Sequence, residues 1–85
     1  MKFTVQELMA TIVSSDMDDQ RKTDLLTRVF STGKITDGLY LKKGEDGLLE
    51  CWFRNVDENG MTDHGPTNYD VNRVVEEYKN SVMTK

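Results

Sequence analysis

Two side chains in this sequence are suited to covalent or proton-transfer chemistry, its one cysteine, Cys51, and its one histidine, His64. Nucleophilic catalysis needs such a pair held within hydrogen-bond reach, with a third group orienting the base. Nothing in the pattern supplies that third group. Cys51 lies in Leu48-Leu49-Glu50-Cys51-Trp52-Phe53, the densest apolar run of the chain. A cysteine so placed serves as buried filler rather than as a nucleophile. His64 is expected on an exposed edge, and the chain is expected not to be an enzyme.

Two further stretches have partial metal-site or phosphate-site spacing. Asn55, Asp57, Asn59, Gly60 and Asp63 fall at the spacing of positions 1, 3, 5, 6 and 9 of a calcium loop. Position 1 is Asn rather than Asp, position 12 is Pro66 rather than a bidentate Glu, and a strand rather than a helix precedes the loop. A plain hairpin turn accounts for these residues. Ser31-Thr32-Gly33-Lys34 has the end of a phosphate loop but lacks its earlier glycine, residue 28 being Arg, and the Ser or Thr that should follow, residue 35 being Ile. Asp16, Asp18 and Asp19 suit the first turn of a helix, where the dipole stabilises acids. That acidic start also removes a DNA-reading role for the second of the two N-terminal helices. No metal and no cofactor are expected.

Trp52 is left, and it belongs to the same run. In a strand, Leu49, Cys51 and Phe53 face one side while Glu50, Trp52 and Arg54 face the other. The loop Gly44-Glu45-Asp46-Gly47 suits a type I turn followed by a left-handed glycine. It pairs Leu41 with Cys51, Leu39 with Phe53 and Tyr40 with Trp52. The aromatic side is then either covered by a helix or left as a binding surface, and Trp and Tyr are enriched at interface hot spots. On the second reading Tyr40, Glu50, Trp52 and Arg54, with the turn acids Glu45 and Asp46, are the partner-binding residues.

These residues must be positioned by the rest of the chain. Thr4 and Glu7 form a capping box, and Phe3 with Leu8 a hydrophobic staple, so a helix starts at Val5. Val5, Leu8, Met9, Ile12 and Val13 form its buried stripe. Asp16 caps a second helix over about Met17 to Ser31. Its buried stripe is Leu25, Leu26, Val29 and Phe30, its i,i+4 ion pairs are Asp18 with Lys22 and Asp24 with Arg28, and Gly33 is its C-terminal cap. From Ile35 the period changes to two. Asn59-Gly60 signals a second hairpin, with an edge strand from Met61 to His64 that Gly65-Pro66 ends. Asn68 or Asp70 caps a last helix whose Val71, Val74, Val75, Tyr78 and Val82 share one face. Ser81 to Lys85 are expected to fray.

The expected fold is α+β in the order α-α-β-β-β-α, with an antiparallel sheet of two to three strands in a single domain spanning residues 1–85. A core this small gains from a further apolar contact, which leaves a homo-oligomer open. No run approaches the roughly 20 apolar residues of a membrane span, and one cysteine cannot form an internal disulfide, so the expected location is the cytoplasm. The net charge of −4 is concentrated in residues 35–70, with eight acids against three bases. Basic pairs occur only at Arg21-Lys22 and Lys42-Lys43, each near carboxylates, so direct nucleic-acid binding is not expected. The expected function is that of a small acidic protein-binding module with a protein partner and no membrane partner. Two alternatives are a nucleotide-binding or sequestering oligomer, using Arg21-Lys22 and helix N-termini, and a DNA-mimic inhibitor. In size, acidity and lack of motifs the chain resembles, in general terms only, small phage-encoded inhibitors of host or defence enzymes.

Overall fold

The computed structural model describes residues 2–83 of the chain. Its elements run β1 (Lys2–Phe3), α1 (Val5–Ser14), α2 (Asp19–Ser31), β2 (Lys34–Thr36), β3 (Leu39–Lys43), β4 (Leu49–Asp57), β5 (Gly60–His64) and α3 (Val71–Met83). The fold is α+β, as expected, but the sheet has five strands rather than two or three. One added strand precedes α1. Phe3, read as a helix staple, also pairs its backbone with Leu49. The other arises because Asp37-Gly38 folds the stretch from Lys34 to Lys43 into a hairpin, in which Thr36 partners Leu39 and Lys34 partners Tyr40. Asp-Gly is a strong hairpin signal. From Ile35 the sequence expectation is period-two strand alone, with no turn placed there.

The register shows how β4 organises the sheet. Leu49 and Glu50 are paired on one edge by β1 and on the other by β3, while Phe53 is paired by both Leu39 and His64. β1 and β5 therefore share one edge of β4, and β3 followed by β2 takes the other. Between β1 and β5 the Cys51 carbonyl accepts a hydrogen bond from the Thr67 backbone N–H at 2.8 Å, which continues the ladder where strand pairing lapses. The β3–β4 hairpin has the register expected from its turn, Gly47 standing at φ 80° and Tyr40 opposite Trp52.

Helix ends follow local chemistry. The Glu7 N–H donates to Thr4 Oγ1 at 3.0 Å and the Thr4 N–H to Glu7 Oε1 at 3.1 Å, completing the capping box. At α2 the cap is Asp18, not Asp16, and its carboxylate accepts the Arg21 N–H at 2.8 Å. Asp16 instead binds Lys79 of α3 at 2.7 Å, and Met17 turns into the core. Lys22 donates to the Val13 carbonyl rather than pairing with Asp18, whereas Asp24 and Arg28 do pair, at 3.0 Å. Asp70 caps α3. Of the residues expected to fray, Ser81 to Met83 are in α3, and Thr84 and Lys85 lie outside the described residues.

All three helices pack on the face of the sheet that carries Leu39, Leu41, Leu49 and Cys51. Leu8, Ile12, Leu25, Val74, Val75 and Tyr78 meet those residues there, with Phe3, Met17 and Ile35. Four residues assigned to this core from the sequence are exposed instead, Met9 at 41%, Val13 at 61%, Phe30 at 59% and Phe53 at 42%. On a helix each residue turns about 100°. Val13 is one such step from buried Ile12, and Phe30 is about 140° round from buried Leu25, so both sit at the margin of a stripe only partly covered. Phe53 lies on the core face but beyond the helices, where Tyr69 meets it edge-on at 5.6 Å.

Candidate functional site

With every helix on one side, the opposite side of the sheet is open, and the strand registers place its side chains in four cross-strand rows. Lys2, Glu50 and Lys42 form the first row and Trp52, Tyr40 and Lys34 the second. Asp63 faces Arg54 in the third, and Met61 faces Val56 in the fourth. Tyr40, Glu50, Trp52 and Arg54 are thus brought together on one face, as the alternation implied. Glu45 and Asp46 are held apart from them in the β3–β4 turn, where Asp46 pairs with Lys2 at 2.9 Å and accepts the Leu48 N–H.

Neither aromatic ring joins the helix-side core. Tyr40 is nevertheless 95% buried, its relative exposure being 5%. Side chains of the same face cover it. The Arg54 guanidinium lies 3.8 Å from the centre of the Tyr40 ring, and Lys42 Nζ lies 4.2 Å from the centre of the Trp52 ring and 5.6 Å from that of Tyr40. Cation–π attraction favours this placement of each cation over a ring face. Trp52 is partly buried, and the backbone of Gly65 runs against its six-membered ring. Covering by a helix, one of the two readings of Trp52, is thereby replaced by covering with long cationic side chains.

Asp63 ties the two cations together. Its Oδ1 accepts from Arg54 Nε at 3.1 Å and its Oδ2 stands 3.3 Å from Lys42 Nζ. The Tyr40 hydroxyl, followed by Arg54 and Lys42, lowers the Asp63 carboxyl to about 2 against a weaker opposing effect of desolvation. The hydroxyl acts here by proximity, since it is buried and not aligned for a regular hydrogen bond, and the buried Nε1–H of Trp52 likewise has no partner among the described residues. Beside this cluster a depression of about 180 Å³ is lined by Tyr40, Arg54, Val56, Met61 and Lys34, among others. Val56 and Met61 are 70% and 64% exposed.

Sequence reasoning had missed Lys42, Val56, Met61 and Asp63 as members of the site. Extending the alternation across the expected Asn59-Gly60 turn puts Asp63 on this face but opposite Val56; the structure turns instead at Glu58-Asn59, with Gly60 already in β5, which sets Asp63 opposite Arg54. The path of Lys42, which leaves the first row and crosses both rings to the third, follows from rotamers that no spacing encodes.

The rejected chemistries have clear geometry. Asp63 is on the open face, whereas Asn55 and Asp57 alternate to the other side, and the Asp57 carboxylate accepts the Asn59 N–H. Those residues do not converge on one ion, and the described residues contain no group of three or more His, Cys, Asp or Glu able to hold one. Cys51 is fully buried, and burial pushes its thiol pKa up against a smaller lowering by Thr67. That is the reverse of an activated nucleophile. His64 is exposed and pairs with Phe53, two residues along β4. On this face carboxylates alternate with bases, Glu50 standing between Lys2 and Lys42 and Asp63 held by two cations. Among the described residues no helix is long and apolar enough to cross a membrane. Searches against protein-family models, curated proteins and solved structures found no match.

Proposed function

We propose that this chain is a non-catalytic protein-binding module that docks through the open face of its sheet and acts, in the cytoplasm, by occupying a surface of a larger protein as an inhibitor does. The observation that carries this reading is the division of the sheet. One face holds the core, and the other presents half-buried Trp52 and Arg54, packed over a buried Tyr40, together with exposed Val56 and Met61. Trp, Tyr and Arg are the residue types most enriched at binding hot spots. Here their rings and guanidinium are already stacked, so less side-chain entropy is lost on docking. The buried, free Cys51 accords with a reducing compartment.

The test compares capture of a partner by the immobilised protein and by two variants, Met61→Asp on the open face and Met9→Asp on α1. Both methionines are exposed, at 64% and 41%, so both variants should fold, which circular dichroism checks. The expected result is one protein retained in stoichiometric amount by the wild type and by Met9→Asp, and weakened about tenfold or more by Met61→Asp. Capture that survives Met61→Asp and is lost with Met9→Asp would place docking on the helices and overturn the proposal.

A further inference from the structure

Around Asp63 the open face carries more hydrogen-bond donors than that carboxylate can use, and Glu50, a second carboxylate of the face, stands two rows away between the strand positions of Lys2 and Lys42. Lys42 has three N–H donors and Arg54 five, and the Tyr40 hydroxyl and Trp52 Nε1–H add two more. Against these stands Asp63, whose two oxygens each take one cation. The Tyr40 hydroxyl is buried beside Asp63 without regular hydrogen-bond geometry, and the buried Trp52 Nε1–H has no partner among the described residues, although buried polar groups are normally paired. Such a donor surplus, on a face where two cations are shielded by aromatic rings, is the chemistry of an oxyanion receptor.

The group that fills it stands on an edge strand. Asp63 belongs to β5, the outermost strand, whose five residues are all exposed and which pairs only with the far half of β4. We propose that the cluster of Arg54, Lys42, Tyr40 and Trp52 is a receptor for a carboxylate side chain of the protein partner, and that Asp63 is its internal stand-in, displaced when the partner docks. The inference rests on the docking reading above and names the chemistry that the partner brings. Charge balance favours a single carboxylate over a polyanion. The chain carries −4 overall, and the neighbouring bases Lys2 and Lys34 are already paired with Asp46 and Asp37. A nucleic acid needs a field of free cations, whereas one carboxylate needs only this cluster.

An internal competitor lowers the affinity for an external ligand by the fraction of time it leaves the site open. Removing it should therefore expose the receptor. Trp52, the one tryptophan, reports directly by its fluorescence. Wild type, Asp63→Ala, Asp63→Asn and the double variant Asp63→Ala with Arg54→Gln are titrated with a short glutamate-rich peptide, its glutamine counterpart and inorganic phosphate, circular dichroism confirming that each is folded. The expected result is a saturable Trp52 response to the glutamate peptide in both single variants, at a concentration about tenfold or more below that for the wild type. The double variant and the glutamine peptide should give none. No saturable response in either single variant, or an undiminished one in the double variant, would overturn the receptor. A response to phosphate without one to the peptide would overturn the carboxylate assignment. The titration uses no natural partner, so it fails or succeeds independently of the capture experiment. A flat titration removes the receptor and leaves the docking face standing, and capture insensitive to Met61→Asp does the reverse.

Discussion

Asp63 is where charge and architecture meet at the scale of single residues. Its folded pKa of about 2 lies below the ordinary 3.8, so the stabilisation it gives is complete above 3.8 and is lost as pH falls through about 2. An acid titration followed by Trp52 fluorescence should show a step in that window for the wild type, as the carboxyl protonates and lets go of Arg54 and Lys42. Asp63→Asn should lack that step; an identical acid profile in both proteins would mean that Asp63 does not govern the surroundings of Trp52. Residue spacing made much of this site legible. Alternation set Trp52 beside Tyr40 and against Cys51, because strand side chains alternate with a period of two whatever packs on them. It said nothing of which face would be covered, and so nothing of how Tyr40 comes to be buried beneath cations.

Among the elements, the junction of α2 with β2 turns on Gly33. It stands at φ 76°, its N–H caps the Arg28 and Val29 carbonyls, and its own carbonyl accepts the Leu41 N–H. A Cβ here would meet the Leu41 carbonyl oxygen at 2.8 Å, whereas one on Gly47, at φ 80°, would meet nothing within 4 Å. Both substitutions pay about 1–2 kcal/mol for the left-handed backbone, and only Gly33→Ala adds a backbone clash. Chemical denaturation should therefore rank Gly33→Ala clearly below Gly47→Ala in stability. Equal losses would show that β3 yields freely. The cap itself was evident from sequence, as were the capping box at Thr4 and the β3–β4 register, since each is decided within a few residues. β1 was not, because a two-residue strand exists only by virtue of Leu49 and Glu50, which are remote in sequence.

At the scale of the molecule the helices are joined by a contact that neither helix reveals alone. The Tyr78 hydroxyl of α3 donates a short hydrogen bond to Asp24 of α2, whose carboxylate also holds Arg28. Burial, followed by Asp24, pushes the Tyr78 pKa up to about 12 from 10.0. A raised pKa means that the stabilisation is full below 10.0 and is lost as pH rises through about 12. Tyr78→Phe should cost about 1 kcal/mol at neutral pH, less than the usual value for a bond to a charged group because the Asp24 carboxylate is partly exposed and screened. The gap from the wild type should narrow as pH climbs above 10.0, which urea denaturation at neutral and alkaline pH would measure; a gap constant with pH would assign the loss to packing alone. The sequence by itself determined the three helices, the capping box of α1, the central hairpin and the two faces of β4, because propensity, capping and alternation act over short spans of chain. Only the tertiary structure decided that all three helices choose the same face, leaving Trp52 open under Lys42 and Tyr40 sealed by Arg54. That choice depends on how apolar stripes distant in sequence fill one shared volume, and no local pattern carries that information.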